Sequence, residues 1–147
     1  MPPVTRDSSV LMSIHEEWAT AILSGAKRWE FRRRCGLSPG THIWIYATAP
    51  RREVVGDFTV GEVRRVSARR PDPHLARAGL STPTDLRLYF DGLTSGVALQ
   101  VTRPRRLSRG VRLQAGESGP QSYRFLDPAG RDRALVRRLA EANLPRA

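Results

Sequence analysis

Between Glu53 and Val66 the chain runs Glu-Val-Val-Gly-Asp-Phe-Thr-Val-Gly-Glu-Val-Arg-Arg-Val. Val54, Val55, Phe58, Val60 and Val63 make this a long strand, and Gly56 and Gly61 inside it mark where it bends. A long strand bent at glycines is how a small barrel turns its corners, so this segment restricts the fold more than any other. Its neighbours agree. Val10 to Ile14 is a short apolar run suited to a buried strand. Ser13 followed by Glu16 fits a capping box, and Trp18, Ala19, Ile22 and Leu23 then recur at helical spacing until Gly25 stops a helix over 15–24. Lys27 to Arg34 alternates, with Trp29 and Phe31 on the buried side and Glu30, Arg32 and Arg34 on the wet one. His42 to Thr48 is another dense strand.

Pro71 to Gly92 changes character, and Thr82 or Thr84 can cap a helical turn containing Leu86, Tyr89 and Phe90. Gly96 to Thr102 returns to alternation, and the arginine-rich segment 103–112 extends or follows it. Gln121 to Leu126 is short and apolar-aromatic. Asp127-Pro128 then opens a C-terminal helix whose Leu135, Val136, Leu139 and Ala142 face inward. The expected fold is α+β, mainly β: a small β-barrel with a helix between its first two strands, a helical insertion and a C-terminal helix. The expected organisation is a loose tail at 1–9, the barrel domain at 10–127, and a C-terminal helix at 128–147 packed on the barrel. A length of 147 residues suits one such domain.

The charge is lopsided. Residues 1–62 hold 8 basic and 7 acidic side chains, whereas 63–147 hold 17 and 7, which gives most of the net +11. Arg64, Arg65, Arg69, Arg70, Arg103, Arg105, Arg106 and Arg109 carry much of the surplus, with Arg112, Arg131, Arg133, Arg137 and Arg138 beyond them. A polyanion is the natural partner of such a surface, since each neutralised phosphate releases counterions. A GC-rich coding sequence would account for arginine in place of lysine, but not for the excess of base over acid or its confinement to the C-terminal part.

Cys35 is the sole cysteine and the three histidines, His15, His42 and His74, are scattered, so neither an intramolecular disulfide nor a metal site at ligand spacing is expected. No cofactor is implied. No stretch approaches a membrane span, and the start lacks the layout of a secretory signal, so the expectation is a soluble cytoplasmic protein without a membrane partner, taken as a monomer.

Gly25-Ala-Lys27-Arg-Trp-Glu30-Phe-Arg32, following the strand and helix that contain Leu11 to Ile14, resembles the Gly-x-Lys-x-x-(Glu/Thr)-x-Arg signature of ASCH domains, of the PUA-like barrel superfamily. Ile45-Tyr46-Ala47-Thr48, Val55-Gly56-Asp57-Phe58, Tyr89-Phe90-Asp-Gly92, Ala98-Leu99 and Pro120-Gln121-Ser122-Tyr123-Arg-Phe125-Leu126 follow in order, and resemble the ASCH subgroup labelled predicted transcriptional regulators. The resemblance spans about 10–127. It implies a PUA-like β-barrel whose cleft, between the early helix and the barrel, binds RNA, DNA or a modified nucleotide.

Carried over by position, the cleft set is Lys27, Glu30, Arg32, Tyr46, Thr48, Gln121, Ser122 and Tyr123: an aromatic to stack on, an amide and hydroxyls to read a base edge, and cations for its phosphate. Lys27 is the chain's only lysine, which points to a need there for a compact or deprotonatable amine. Plainer roles compete: Glu30 with Arg32 as a surface ion pair, His15 as a capping or solvent residue, Cys35 as a bystander. Of Trp18, Trp29 and Trp44, at most one is assigned to a binding wall, the others to core.

Some ASCH proteins are hydrolases of acylated cytidine that use lysine, threonine and glutamate. Here Glu30 stands at the threonine position, and His74 to Ser81 has no carboxylate. The leading expectation is therefore a nucleic-acid-binding module with a regulatory role. A hydrolase or ribonuclease acting on RNA or modified nucleosides through Lys27, with Glu30, is one alternative, and a basic protein-interaction module is another. Alternation places residues 27 and 30 on opposite faces of an ideal strand, so uniting them calls for a bulge.

Overall fold

In the computed structural model, residues 9–143 are described, so all but Ser9 of the expected tail at 1–9, and residues 144–147 of the expected C-terminal helix, lie outside them. Six strands form one sheet: β1 (Val10–Ile14), β2 (Trp29–Arg32), β3 (His42–Ala47), β4 (Glu53–Ser67), β5 (Ser95–Arg112) and β6 (Tyr123–Phe125), in the order β2-β5-β4-β3-β1-β6. The helices are α1 (Glu16–Leu23), α2 (Pro73–Ala78), α3 (Pro83–Tyr89) and α4 (Arg133–Ala142). The architecture is mainly β with a helix after the first strand, a helical insertion and a C-terminal helix, as expected. β1 and β3 run parallel, with Val10 opposite Ile43, while the other pairs are antiparallel.

β4 and β5 form the backbone of the sheet, and their pairing slips between Val54 and Gly56, between Asp57 and Thr59, and between Val60 and Val63. The first and last slips flank the two glycines, where the sequence places bends. A side chain at Gly56 would collide with the Arg105 carbonyl and the Leu23 methyls, so the strand can curl under α1 only with no Cβ there. The curl encloses Met12, Ile14, Ile22, Ile43, Ile45, Phe58 and Leu99, an interior in which each large side chain contributes about 1.5–3 kcal/mol. Two outer clusters cover the sheet elsewhere. Trp29, Phe31, Val66, Leu75, Leu86 and Phe90 pack under α2 and α3, and Leu11, Trp44, Val54, Leu107, Leu135 and Leu139 pack under α4.

The sheet curls into a half-barrel, the form the expected small β-barrel takes here. β2 and β6 stand at its two ends, and side chains bridge the seam. Arg32 Nη2 donates to Ser122 Oγ at 2.7 Å and Arg32 Nη1 to the Ser13 carbonyl at 3.3 Å, while Gly36 N donates to the Tyr123 hydroxyl at 3.2 Å.

Two helix starts differ from expectation. Ser13 lies within β1 and its hydroxyl donates to the Pro120 carbonyl at 2.5 Å, so it caps nothing, and α1 begins after His15 without a side-chain cap. α4 begins at Arg133 instead of after Asp127-Pro128. The buried Asp132 carboxylate accepts from Asp127 N at 2.7 Å and Arg124 Nη1 at 2.8 Å, which holds 127–132 in a turn and delays the helix. In the insertion, Asp72 caps α2 and Thr82 caps α3, each followed by proline.

Candidate functional site

Beside the seam, the ends of β1 and β2 meet α1, α3 and the α2–α3 loop around a cleft of ≈ 540 Å³, within the usual range of small-molecule sites. Ser13, Ile14, His15 and Trp18 line it from β1 and α1, Lys27, Glu30, Phe31 and Arg32 from β2 and its approach, and Thr48 and Gln121 from two loops. Gly79, Leu80, Ser81, Asp85, Leu86 and Tyr89 close it from the insertion.

Lys27 is only 4% exposed. Its ammonium donates to the Gly79 carbonyl at 2.6 Å and lies 5.2 Å from the Trp18 ring centroid and 5.1 Å from that of Phe31. The Glu30 carboxylate is 4.0 Å away, close enough for charge attraction but beyond a hydrogen bond, so donors remain for a group in the cleft. Burial pushes the Lys27 amine below lysine's ordinary value, and the attraction of Glu30 only partly opposes it.

Glu30, 6% exposed, also receives Arg32 Nη1 at 3.2 Å. The side chain expected on a wet strand face is thus buried between two cations. No bulge was needed to unite residues 27 and 30, because β2 begins only at Trp29. Lys27 N bonds to Ala21 O and Arg28 N to Ala78 O, so the chain reaches β2 along α1 and α2, and strand alternation does not apply to Lys27.

Of the residues named from sequence, Lys27, Glu30, Arg32, Thr48 and Gln121 share the cleft, and Ser122 stands one hydrogen bond behind Arg32. Two do not line it. Tyr46 packs in the α4 cluster with its ring against Gly119, and Tyr123 packs on the barrel interior. Trp18 is the one tryptophan on the wall. His15 sits at the α1 N-cap position and also lines the cleft, with Nδ1 3.4 Å from the Thr48 hydroxyl.

Sequence reasoning missed Ser13, Leu80, Ser81, Asp85 and Tyr89. The proline and capping residues of α2 and α3 signal two short helices, but nothing local shows that their connection folds over Lys27.

The arginines form a separate feature. β2 pairs with β5 only over Val97 to Gln100, and Arg103, Arg105, Arg106 and Arg109 lie beyond it on the part of β5 that follows. None of them lines the cleft, nor do Arg64, Arg65, Arg69 or Arg70. Arg105 is held by Asp57 at 2.8 Å, and Arg64 is held by Glu62 at 2.9 Å and lies over the Trp29 ring. The exposed side chains of Arg65, Arg69, Arg70, Arg103, Arg106 and Arg109 have no hydrogen-bond or ion-pair partner among the described residues. The described residues contain no group of three His, Cys, Asp or Glu side chains placed to hold a metal, and no helix long and apolar enough to cross a membrane.

The ASCH domain family model matches residues 12–82. A Zymomonas mobilis protein named ASCH domain-containing ribonuclease is 30% identical over 132 residues, which is 86% of this chain and 89% of that protein. The chain belongs to the ASCH domain family. The crystal structure of ASCH from Zymomonas mobilis covers 91% of this ASCH chain and 95% of its own, at 26% identity and a TM-score of 0.75. A serine-to-alanine mutant of the Zymomonas mobilis ASCH protein gives 0.78 at 25% identity, covering 94% and 99%. The PUA-like half-barrel is therefore the fold of this ASCH protein.

Proposed function

We propose that this ASCH protein binds single-stranded RNA with one nucleotide in the cleft, and cleaves the strand there. The observation that carries the reading is the buried Lys27 amine on the cleft wall, pushed toward its neutral form by burial and fixed beside the Glu30–Arg32 pair. A relative that is named a ribonuclease and spans nearly the whole chain supports RNA as the substrate.

RNA carries its own nucleophile, the 2′-hydroxyl. Lys27 in its neutral form takes that proton, and the oxygen attacks the adjacent phosphorus and expels the 5′-oxygen, leaving a cyclic phosphate. Imidazole is the side-chain type that exchanges protons near neutral pH, which suits His15 on the same cleft for protonating the departing oxygen. Arg32 offsets the charge that builds on the phosphoryl oxygens, and Glu30 holds Arg32 and Lys27 in place. The unpaired arginines of β5 supply salt-sensitive, sequence-independent contacts to the flanking strand.

The test is an end-labelled RNA with and without a single 2′-deoxy position, incubated with wild type, Lys27→Met and His15→Ala. Cleavage that ends in a cyclic phosphate, stops at the deoxy position and falls in both variants is expected. A folded wild type that neither binds nor cuts RNA overturns the reading.

A further inference from the structure

One wall of the cleft is not suited to phosphate at all. Asp85 lines it, and its carboxylate makes no hydrogen bond or ion pair among the described residues, in a chain with 25 cationic side chains. Its local explanation would be a capping box with Thr82, but only half of one forms. Asp85 N donates to Thr82 Oγ1 at 3.0 Å, and the return bond from the carboxylate is not made. A free carboxylate repels a phosphate, so whatever it meets in the cleft must donate hydrogen bonds.

The surfaces around it are flat or apolar. Leu80 is 45% exposed on the same cleft and held at φ 59, an uncommon conformation for a branched residue and one that persists only where the surroundings enforce it. Tyr89 is also exposed there, with its hydroxyl donating to the Phe31 carbonyl at 3.3 Å, and Trp18 lines the cleft from α1. Exposed apolar and aromatic walls with one acceptor among them match a planar ring that carries donors on its edge.

Among the four bases, guanine alone places two donors side by side, N1–H and N2–H, to meet both oxygens of a carboxylate. Adenine and cytosine set a ring-nitrogen lone pair beside the amino group, and uracil flanks its N3–H with two carbonyls, so each turns a lone pair toward the second oxygen. We propose that the cleft is a guanine subsite, in which Asp85 reads the Watson–Crick edge between Trp18, Leu80 and Tyr89. The proposal rests on the RNA reading above and adds its base specificity.

Calorimetric titration with the 3′-monophosphates of guanosine, inosine, adenosine, cytidine and uridine tests it. Guanosine monophosphate is expected to bind about tenfold or more tightly than the adenosine, cytidine and uridine nucleotides, with inosine, which keeps N1–H and loses the amine, in between. Asp85→Asn should remove the preference, chiefly by weakening the binding of guanosine monophosphate about tenfold. Its melting temperature should hold, because the bond to Thr82 uses the backbone. Equal affinity across the set, or a preference that survives in Asp85→Asn, overturns the proposal. RNA cleaved without guanine preference sinks the subsite alone, whereas no binding and no cleavage sinks the RNA reading with it.

Discussion

Replacing Lys27 by methionine separates the cost of the buried amine from its use. The thioether is unbranched, flexible and at ease beside Trp18 and Phe31. The exchange leaves the buried Gly79 carbonyl without its 2.6 Å donor, a loss of about 1–3 kcal/mol. Against this, the variant no longer buries a charge. The downward displacement of the Lys27 pKa shows that burial outweighs the attraction of Glu30, so removing the charge is itself favourable. The two effects offset, and stability at pH 7 should stay within about 1.5 kcal/mol of wild type, or about 5 °C in Tm for a domain of this size.

The pH dependence carries a sign. Between the depressed folded value and 10.5 the unfolded chain binds more protons at Lys27 than the folded one, so this residue's share of stability rises with pH through that window. Lys27→Met lacks the rise, and the wild type should gain on it in thermal scans from pH 7 to pH 10.5. RNA cleavage at pH 7 should meanwhile fall about 10²- to 10⁴-fold, the usual contribution of a positioned proton-transfer group. Destabilisation beyond about 3 kcal/mol, as when a buried ion pair is broken, together with a Tm difference flat in pH, would refute the reasoning.

Arg32→Ala removes the bridge from β2 to Ser13 and Ser122 and leaves the buried Glu30 with Lys27 alone. A loss of about 3 kcal/mol in urea unfolding is expected, and less than 1 kcal/mol would mean that the seam does not depend on this guanidinium. Asp57, 2% exposed, is raised by burial, but the bonds from His42 and Arg105 outweigh this and hold its carboxyl below the ordinary value. Its contribution is therefore present above about pH 4 and lost as pH falls through the lower folded value, so Asp57→Asn should cost about 1.5–3 kcal/mol at pH 7 and progressively less in acid, measured by denaturant midpoints. Arg106→Glu with Arg109→Glu should weaken RNA binding for all sequences alike and flatten its salt dependence by about 0.7 for each phosphate no longer neutralised, whereas an unchanged slope excludes this strand from the interface. Arg105 is unsuitable for that experiment, because a glutamate there would face the buried Asp57.

What was legible in the sequence follows from how far each signal reaches along the chain. The bends of β4 are written in Gly56 and Gly61, and the inward set of α4 in the spacing of Leu135, Val136, Leu139 and Ala142, because a strand or helix period is a local property. Helix starts are less secure. Ser13 and Asp127 carry capping chemistry, but Pro120 claims one, and Asp132 claims the backbone next to the other. The burial of Glu30 is hidden for the same reason. Alternation tells which residues share a face, not what covers it, and an ion pair can bury a carboxylate on a face that looks wet.

The cleft itself depends on something no period encodes, namely that the sheet stops short of closing. Had β2 paired with β6, the backbone of the seam would be occupied and Arg32 would have no gap to span. Because Arg32 helps bridge the seam, holding Ser122, the Ser13 carbonyl and Glu30 alongside the bond from Gly36 N to the Tyr123 hydroxyl, the charged row lies where the open side of the half-barrel meets the insertion. Lys27 is joined to that row from outside the strand, through the 2.6 Å bond to the loop that also carries Leu80 and leads to Asp85. Closure of the sheet and assembly of the cleft thus share bonds, which is why a change at Arg32 should move stability and RNA binding together, whereas a change at Asp85 should move only the second.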